Sequence, residues 1–315
     1  MRPPYIQRGG DLAMMPPLAL TNATMYSFLV NADIEKLTAM CDAHLNSVTA
    51  ASGTTYKPLM PAVSLVCADI AKSYSTTPPD STKGWMAERD FGIWVPVVDN
   101  KGRIGWYLPY VFVDNVAAMV TGREVFGFFK QIATLQMPPS PKASGPFTID
   151  ALVIQKYSPE SEAKSIRLLT ATSTQSVPAP EGTWASARQG LEMLWKDLEV
   201  IRGDTQKLPL SDWQEFRDEM TMLVTGDVPM IFLKQFRDET TDQRAAYQAV
   251  IEAPARLDKF HGGGVCHPHD IVIAPADSHP IASECGLSSG TVRSQLGFWC
   301  QMDFTMMPGR VVAQR

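Results

Sequence analysis

Through most of the chain, apolar residues recur at every second position, and only a few stretches keep a helical period. Strands are predicted at Phe91–Val98, Trp106–Val113, Phe147–Lys156, Lys164–Thr172, Val228–Phe236, Ile271–Ala274 and Gly297–Met306, and the short apolar run Val63–Ile70 predicts a buried strand. Asp99-Asn100-Lys101-Gly102 separates two of these runs and predicts a β-hairpin. Ala245–Glu252 suits either period. Ile34, Leu37, Cys41 and Leu45 keep helical spacing, with Asn31 as the cap. Helical spacing returns at Leu191, Leu194, Trp195, Leu198 and Ile201, behind the capping box of Ser186 and Gln189. It recurs at Trp213, Phe216, Met220 and Leu223, behind Ser211 and Gln214. These two runs predict a helical insertion at about 183–224, read as a cover over a sheet, with a lid or oligomer contact as the sharper alternative. Ser75–Gly84 and Pro138–Pro146 are loops by composition.

The stretch Arg123–Thr134 carries the first candidate chemistry. Phe126, Phe128 and Ile132 share the parity of Lys130, so a strand here would set one lysine among phenyl rings. Such an ammonium is poorly solvated, which predicts a lowered pKa. A neutral amine is a nucleophile that forms a Schiff base with a carbonyl. The plainer alternative is an edge-strand lysine that blocks aggregation.

The block Gly105–Ala133 resembles the acetoacetate decarboxylase-like superfamily. Asp114-Asn115 match its DN pair, Gly122-Arg123-Glu124 match its GRE, and Lys130 falls at its Schiff-base lysine. Weaker similarity runs from about Tyr26 to Val312. The resemblance implies a lysine Schiff base, no cofactor, a small oxo acid as substrate and a homo-oligomer. It also marks departures. The second lysine of the family is Gln131, its preceding proline is Phe129, and a strand glutamate is Asp90. A further glutamate falls on Val66, and an N-terminal arginine falls near Asn22 or Ala23. Asp90 is then the expected proton shuttle. Arg123 and Glu124 are read as a structural ion pair beside the pocket, and Tyr107 and Tyr110 as phenolic donors whose facing depends on register.

Composition narrows the classes. The chain has 315 residues, a net charge of −5 and 45% hydrophobic residues, an ordinary globular balance that suggests neither nucleic acid nor an anionic membrane as partner. No apolar run is long enough for a membrane span, and Met1–Asp11 lacks the apolar core of a secretory signal. Cys41, Cys67, Cys266, Cys285 and Cys300 are odd in number and scattered, which suits reduced thiols in the cytoplasm. Three histidines, a cysteine and an aspartate crowd His261–Asp270, but no metal-ligand spacing is present, and the triple glycine reads as a loop. Nucleophile-elbow, P-loop and dinucleotide motifs are absent from the sequence.

The expectation is an N-terminal arm over residues 1–25 and one α+β domain over 26–315. That domain is mainly antiparallel sheet, curled into a partial barrel around Lys130 with helices outside. Lys130 and Asp90 are the catalytic candidates. Phe126, Phe128, Gln131, Tyr107, Tyr110, Arg123 and Glu124 are the pocket candidates, and no metal is expected. The expected activity is a Schiff-base lyase, with aldol condensation and dehydration or retro-aldol cleavage favoured. Decarboxylation of a β-oxo acid and ligand binding without turnover are the alternatives.

Overall fold

A computed structural model describes residues 4–141, 143, 145–175, 184–190, 192–193, 227–241 and 243–315. Strands dominate them: β1 (Leu18–Asn31), β2 (Tyr56–Pro58), β3 (Ala62–Ser75), β4 (Met86–Asp99), β5 (Ile104–Val113), β6 (Lys130–Gln136) and β7 (Phe147–Val153). The remainder are β8 (Lys164–Ser173), β9 (Asp227–Arg237), β10 (Ala245–Cys266), β11 (His269–Ile273), β12 (Thr291–Arg293), β13 (Leu296–Met306) and β14 (Arg310–Gln314). They form one mixed sheet in the order β12-β11-β8-β7-β6-β5-β9-β10-β13-β1-β3-β4-β2, with β14 on β10. The extra β4–β5 pairing bends part of it into a ring of β4, β5, β9, β10, β13, β1 and β3. β6, β7, β8, β11 and β12 continue outward from β5 as a covering layer. The expected partial barrel is present as this ring.

Local chemistry explains the principal elements. Asp99 turns the β4–β5 hairpin, its carboxylate accepting from the backbone of Lys101 at 2.8 Å and Arg103 at 2.9 Å. Helix α1 (Ile34–Cys41) begins at Asp33, whose carboxylate accepts from Glu35 N at 2.8 Å. Asn31, the expected cap, is instead the last residue of β1. Helix α2 (Val116–Thr121) follows Asn115, whose side-chain oxygen accepts from Ala117 N at 2.8 Å and Ala118 N at 3.2 Å.

The ring inverts the usual reading of an alternating strand. Along β1, the outward side chains Tyr26, Phe28 and Val30 are buried, while the inward Met25, Ser27 and Leu29 are only half-buried. The outward set packs with Leu37, Cys41 and Leu45 and with Phe147, Ile149 and Leu169 of the covering layer. The inward set faces a cavity. The principal core is therefore outside the ring, between its wall, α1 and the covering layer.

Three expectations change here. The arm is shorter than 1–25, because β1 starts at Leu18 and pairs with β3 and β13. Before it, Met14 N donates to Thr121 Oγ1 at 3.1 Å and Met15 N to Asp80 Oδ2 at 2.8 Å, so this segment lies on its own chain. His261–Cys266 belongs to the long strand β10, not to a loop. A side chain at Gly263 would meet the Trp184 ring at 2.7 Å and Trp299 O at 2.8 Å, so glycine there serves close packing. Most of the insertion at about 183–224 lies outside the described residues. Its described start forms the expected capping contact, Gln189 N donating to Ser186 Oγ at 3.2 Å.

Candidate active site

Lys130 enters the ring through a fork in β5. The first half of β5 pairs in parallel with β9, at Trp106–Met230 and Tyr107–Ile231. Its last half pairs in parallel with β6, at Val111–Lys130, Phe112–Gln131 and Val113–Ile132. Pro109, with no N–H to donate, lies between the two ladders. Lys130 opens β6 at this fork, and its side chain points into the ring.

The approach to Lys130 is not the strand expected for Arg123–Thr134. After α2 the chain winds through one π turn, Gly122–Phe126, and reverses at Gly127, whose φ is +97°. Extended pairing begins only at Lys130. Phe126 and Phe128 therefore reach the amine through a turn and not through a shared pleat. Phe126 is fully buried, and the Phe128 ring centre lies 5.3 Å from Nζ. Ile132, expected beside them, is exposed on the outside of β6. Gly122 makes room for the lysine stem, since a Cβ there would sit 2.5 Å from Lys130 Cδ.

The amine is buried between two carboxylates. Lys130 Nζ donates to Asp90 Oδ2 at 3.1 Å and to Glu88 Oε2 at 3.3 Å. Glu88 and Asp90 share one face of β4, opposite Ile70 and Ala68 of β3. Burial alone pulls the Lys130 pKa down, but Asp90 and Glu88 together pull it up by more, and it lies above the ordinary lysine value. The expected lowering does not hold, because the phenyl rings are not the amine's only neighbours. Burial, aided by the charge of Glu88, pushes the Asp90 carboxyl up to about 7 against the pull of Lys130. Asp90 Oδ1 is buried and has no hydrogen-bond partner among the described residues.

The cavity beside this cluster has a volume of about 360 Å³, within the usual range for small-molecule sites. Among the described residues its charged lining residues are Lys130, Glu88 and Asp90; the others are mostly apolar, with the thiol of Cys300 and a few hydroxyls. Phe126 and Phe128 line it as expected, and Val66 lines it where the family pattern has a glutamate. Asn22 lies away from it, at the β1 bulge with φ +52°.

Several expected pocket residues do not line the cavity. Gln131 faces the other side of β6, where its Oε1 lies 2.6 Å from His279 Nε2. Tyr107 and Tyr110 also face outward, because strand register sets them on the core side. Tyr107 Oη lies 2.8 Å from His44 Nδ1, and Tyr110 Oη donates to Glu284 at 2.5 Å. Arg123 anchors the start of β6 by donating to Lys130 O at 3.2 Å, and its guanidinium lies 5.0 Å from the Phe129 ring centre. Glu124 is exposed. In the His261–Asp270 segment, His261 Nε2 pairs with Asp303 at 3.0 Å and His269 Nδ1 lies 2.8 Å from His267 O. Among the described residues no three His, Cys, Asp or Glu side chains gather as a metal site.

Glu88 was not anticipated. Beginning β4 at Phe91 left it outside the strand, although the run Met86, Glu88, Asp90, Gly92 and Trp94 keeps one parity throughout.

The family model for acetoacetate decarboxylase matches residues 2–188. The chain belongs to the acetoacetate decarboxylase family. Several solved structures share the fold at low identity. Acetoacetate decarboxylase from Legionella pneumophila subsp. pneumophila str. Philadelphia 1 has a TM-score of 0.63 at 16% identity, over 100% of this chain and 93% of that one. The enduracididine biosynthesis enzyme MppR, in complex with pyruvate, has a TM-score of 0.55 at 14% identity, over 97% and 93%. An acetoacetate decarboxylase-like enzyme from Sphingomonas wittichii RW1 has a TM-score of 0.53 at 12% identity, over 95% and 94%. No curated protein sequence matches this chain. Among the described residues no helix is long and apolar enough to cross a membrane.

Proposed function

We propose that this family member is a Schiff-base-forming carbon–carbon lyase acting on an oxo acid. The observation that carries the reading is the Lys130 amine, buried at the wall of an apolar cavity with two carboxylates in hydrogen-bond reach. In the resting site the amine is an ammonium held by Asp90 and Glu88. As a carbonyl compound displaces these contacts, the ammonium passes a proton to Asp90, whose raised pKa suits it to accept one near neutral pH. The freed amine attacks the carbonyl carbon. The carbonyl oxygen leaves as water, and a protonated imine remains on Nζ.

The iminium then accepts an electron pair from the adjacent carbon. That pair comes from a C–H bond, with the proton going to a carboxylate, or from a C–C bond as the second fragment departs. Protonation of the enamine and hydrolysis by water return the free amine. Aldol-type chemistry is favoured over decarboxylation for two reasons. A carboxylate base already touches the reacting nitrogen, and among the described residues Lys130 is the only cation lining the cavity, so a substrate carboxylate would meet Glu88 and Asp90 without a second positive charge from those residues. MppR, the relative solved with pyruvate, has also been solved with the condensation product of pyruvate and imidazole 4-carboxaldehyde, in line with this preference. The five free thiols suit a cytoplasmic enzyme.

The test is borohydride reduction in the presence of 2-oxo and 3-oxo acids, read by intact mass. A reduced adduct lost in Lys130→Ala is the expected result. One observation favours a second reading. An ammonium stabilised by two carboxylates is a poor nucleophile at rest, as in a protein that binds its ligand without turnover. Absence of an adduct across the whole panel would favour that second reading over the lyase.

A further inference from the structure

We infer that the substrate of the Lys130 site carries a long, unbranched apolar tail, which lies along the strands of the ring from Asp90 toward Leu29 and Ser64. The inference rests on the reading of Lys130 as the imine-forming residue. It starts from the direction in which the cavity extends. Asp90 stands opposite Ala68 on β3, and Ala68 opposite Met25 on β1. On one side of this level the lining residues Leu18, Leu20, Ile70 and Met306 are buried and cluster with Met14. On the other side the lining continues to Ser64, which faces Leu29 on β1 and Trp94 on β4. Ser64 lies four steps along β3 from Ala68, a corridor of about 13 Å at the rise of an extended strand.

The corridor's chemistry fits a tail and not a second polar group. Met25, Leu29, Trp94, Trp106, Leu296 and Phe298 line it and are only half-buried. Their neighbours on the outer face of the ring are fully packed. Apolar surface in a folded protein is normally covered, and an apolar cavity favours an apolar guest over water. The polar side chains in the far half, Ser27 and Ser64, bond each other at 2.5 Å. Among the described residues no charged side chain lines the corridor beyond Lys130, Glu88 and Asp90. A three-carbon oxo acid would occupy only the end near Lys130 and leave this surface without a partner.

The experiment uses the full-length protein and straight-chain 2-oxo acids and 2-alkanones of increasing length. Each is trapped with borohydride, and the adduct is read as the ligand's mass less one oxygen. Burying one methylene contributes about 0.8 kcal/mol, so the half-trapping concentration should fall about fourfold per added carbon. The fall should stop once the tail reaches the level of Leu29 and Ser64. Ser27→Phe, which fills the far half, should move that break to shorter chains when long and short ligands are compared within the variant. Short compounds trapped as well as long ones would overturn the tail and leave the Schiff base standing.

A second readout separates the two ideas. Trp94 and Trp106, whose ring centres are 5.8 Å apart on the corridor wall, report binding by their fluorescence without any covalent step. If no length gives an adduct but long chains still change that fluorescence, the lyase reading fails and the tail site stands. If neither signal responds, both fail.

Discussion

Asp90→Asn tests the electrostatics and the proton transfer of the site in one titration. The substitution keeps the shape and removes a negative charge that lies 3.1 Å from Lys130 Nζ. A carboxylate stabilises the ammonium, so its loss lowers the amine pKa. An opposite charge at such range moves a pKa by about 1–3 units. Coulomb's law gives a similar bound, about 4 kcal/mol at 4 Å with an effective dielectric of about 20. Burial would then be opposed by Glu88 alone. The pH midpoint of imine formation, followed by borohydride trapping of a 2-oxo acid at fixed short times, should fall by about 1–3 units. Turnover at the plateau should fall as well, by about 10²–10⁴ if Asp90 also moves the proton. The two effects have opposite signs: the variant reacts at lower pH but completes fewer cycles. A midpoint that stays in place or rises would refute the account of how the amine is held. A plateau loss below about threefold, against the 10²–10⁴ typical of acid–base groups, would leave Asp90 with an electrostatic role only.

Other outcomes follow from the same geometry. Lys130→Ala should abolish adduct formation and turnover, and Lys130→Arg should do the same because a guanidinium stays protonated; full activity in either would end the Schiff-base reading. Gly122→Ala sets a methyl 2.5 Å from Lys130 Cδ, so kcat/KM should fall by about 10²-fold through misplacement of the amine, and an unchanged value would show that the stem has other room. Because folding raises the Asp90 pKa from 3.8 to about 7, its contribution to stability is present below pH 3.8 and is lost as pH rises toward 7; denaturant titrations should show that slope in the wild type and not in Asp90→Asn. Carbon dioxide release from acetoacetate should be low in the wild type and in Gln131→Lys, whose new ammonium would lie on the far side of β6; robust release by the wild type would replace aldol-type chemistry with decarboxylation.

What the sequence disclosed depended on whether the deciding interaction was local. The β4–β5 hairpin was legible because its turn residues and alternation lie within one short segment. Lys130 stands out by its apolar neighbours and by the GRE pattern, whereas Gln131, expected in the pocket, lies on the opposite face, as adjacent parity on a strand requires. The path to Lys130 was misread because three phenylalanines at alternate and adjacent positions look like a strand, whereas a π turn and a left-handed glycine bring two of them to the amine. Glu88 was missed through a late strand start. Together with Asp90 it outweighs burial and raises the lysine pKa, which no local pattern around Lys130 could convey. Tyr107 and Tyr110 turned on register, and register in β5 is set by β4, β6 and β9 together. The glycines of β10 resembled a loop because the tryptophans that crowd Gly263 come from distant parts of the chain.

The number of strands in the ring has a consequence of its own. Seven is odd, and neighbours cannot alternate direction all the way round an odd circle. Six of the junctions are antiparallel, and the β5–β9 junction is the parallel one that parity demands. A parallel junction cannot be closed by a tight turn, since the chain must travel back to the starting end before it runs alongside itself again. That return journey, between Val113 and Asp227, holds α2, the glycine reversal, β6 with Lys130, and β7 and β8 of the covering layer. The geometry that closes the wall thus obliges the chain to make a long detour, and the lysine is part of that detour. An even ring could be stitched by hairpins alone and would have no such obligatory excursion from which to send an amine through the wall.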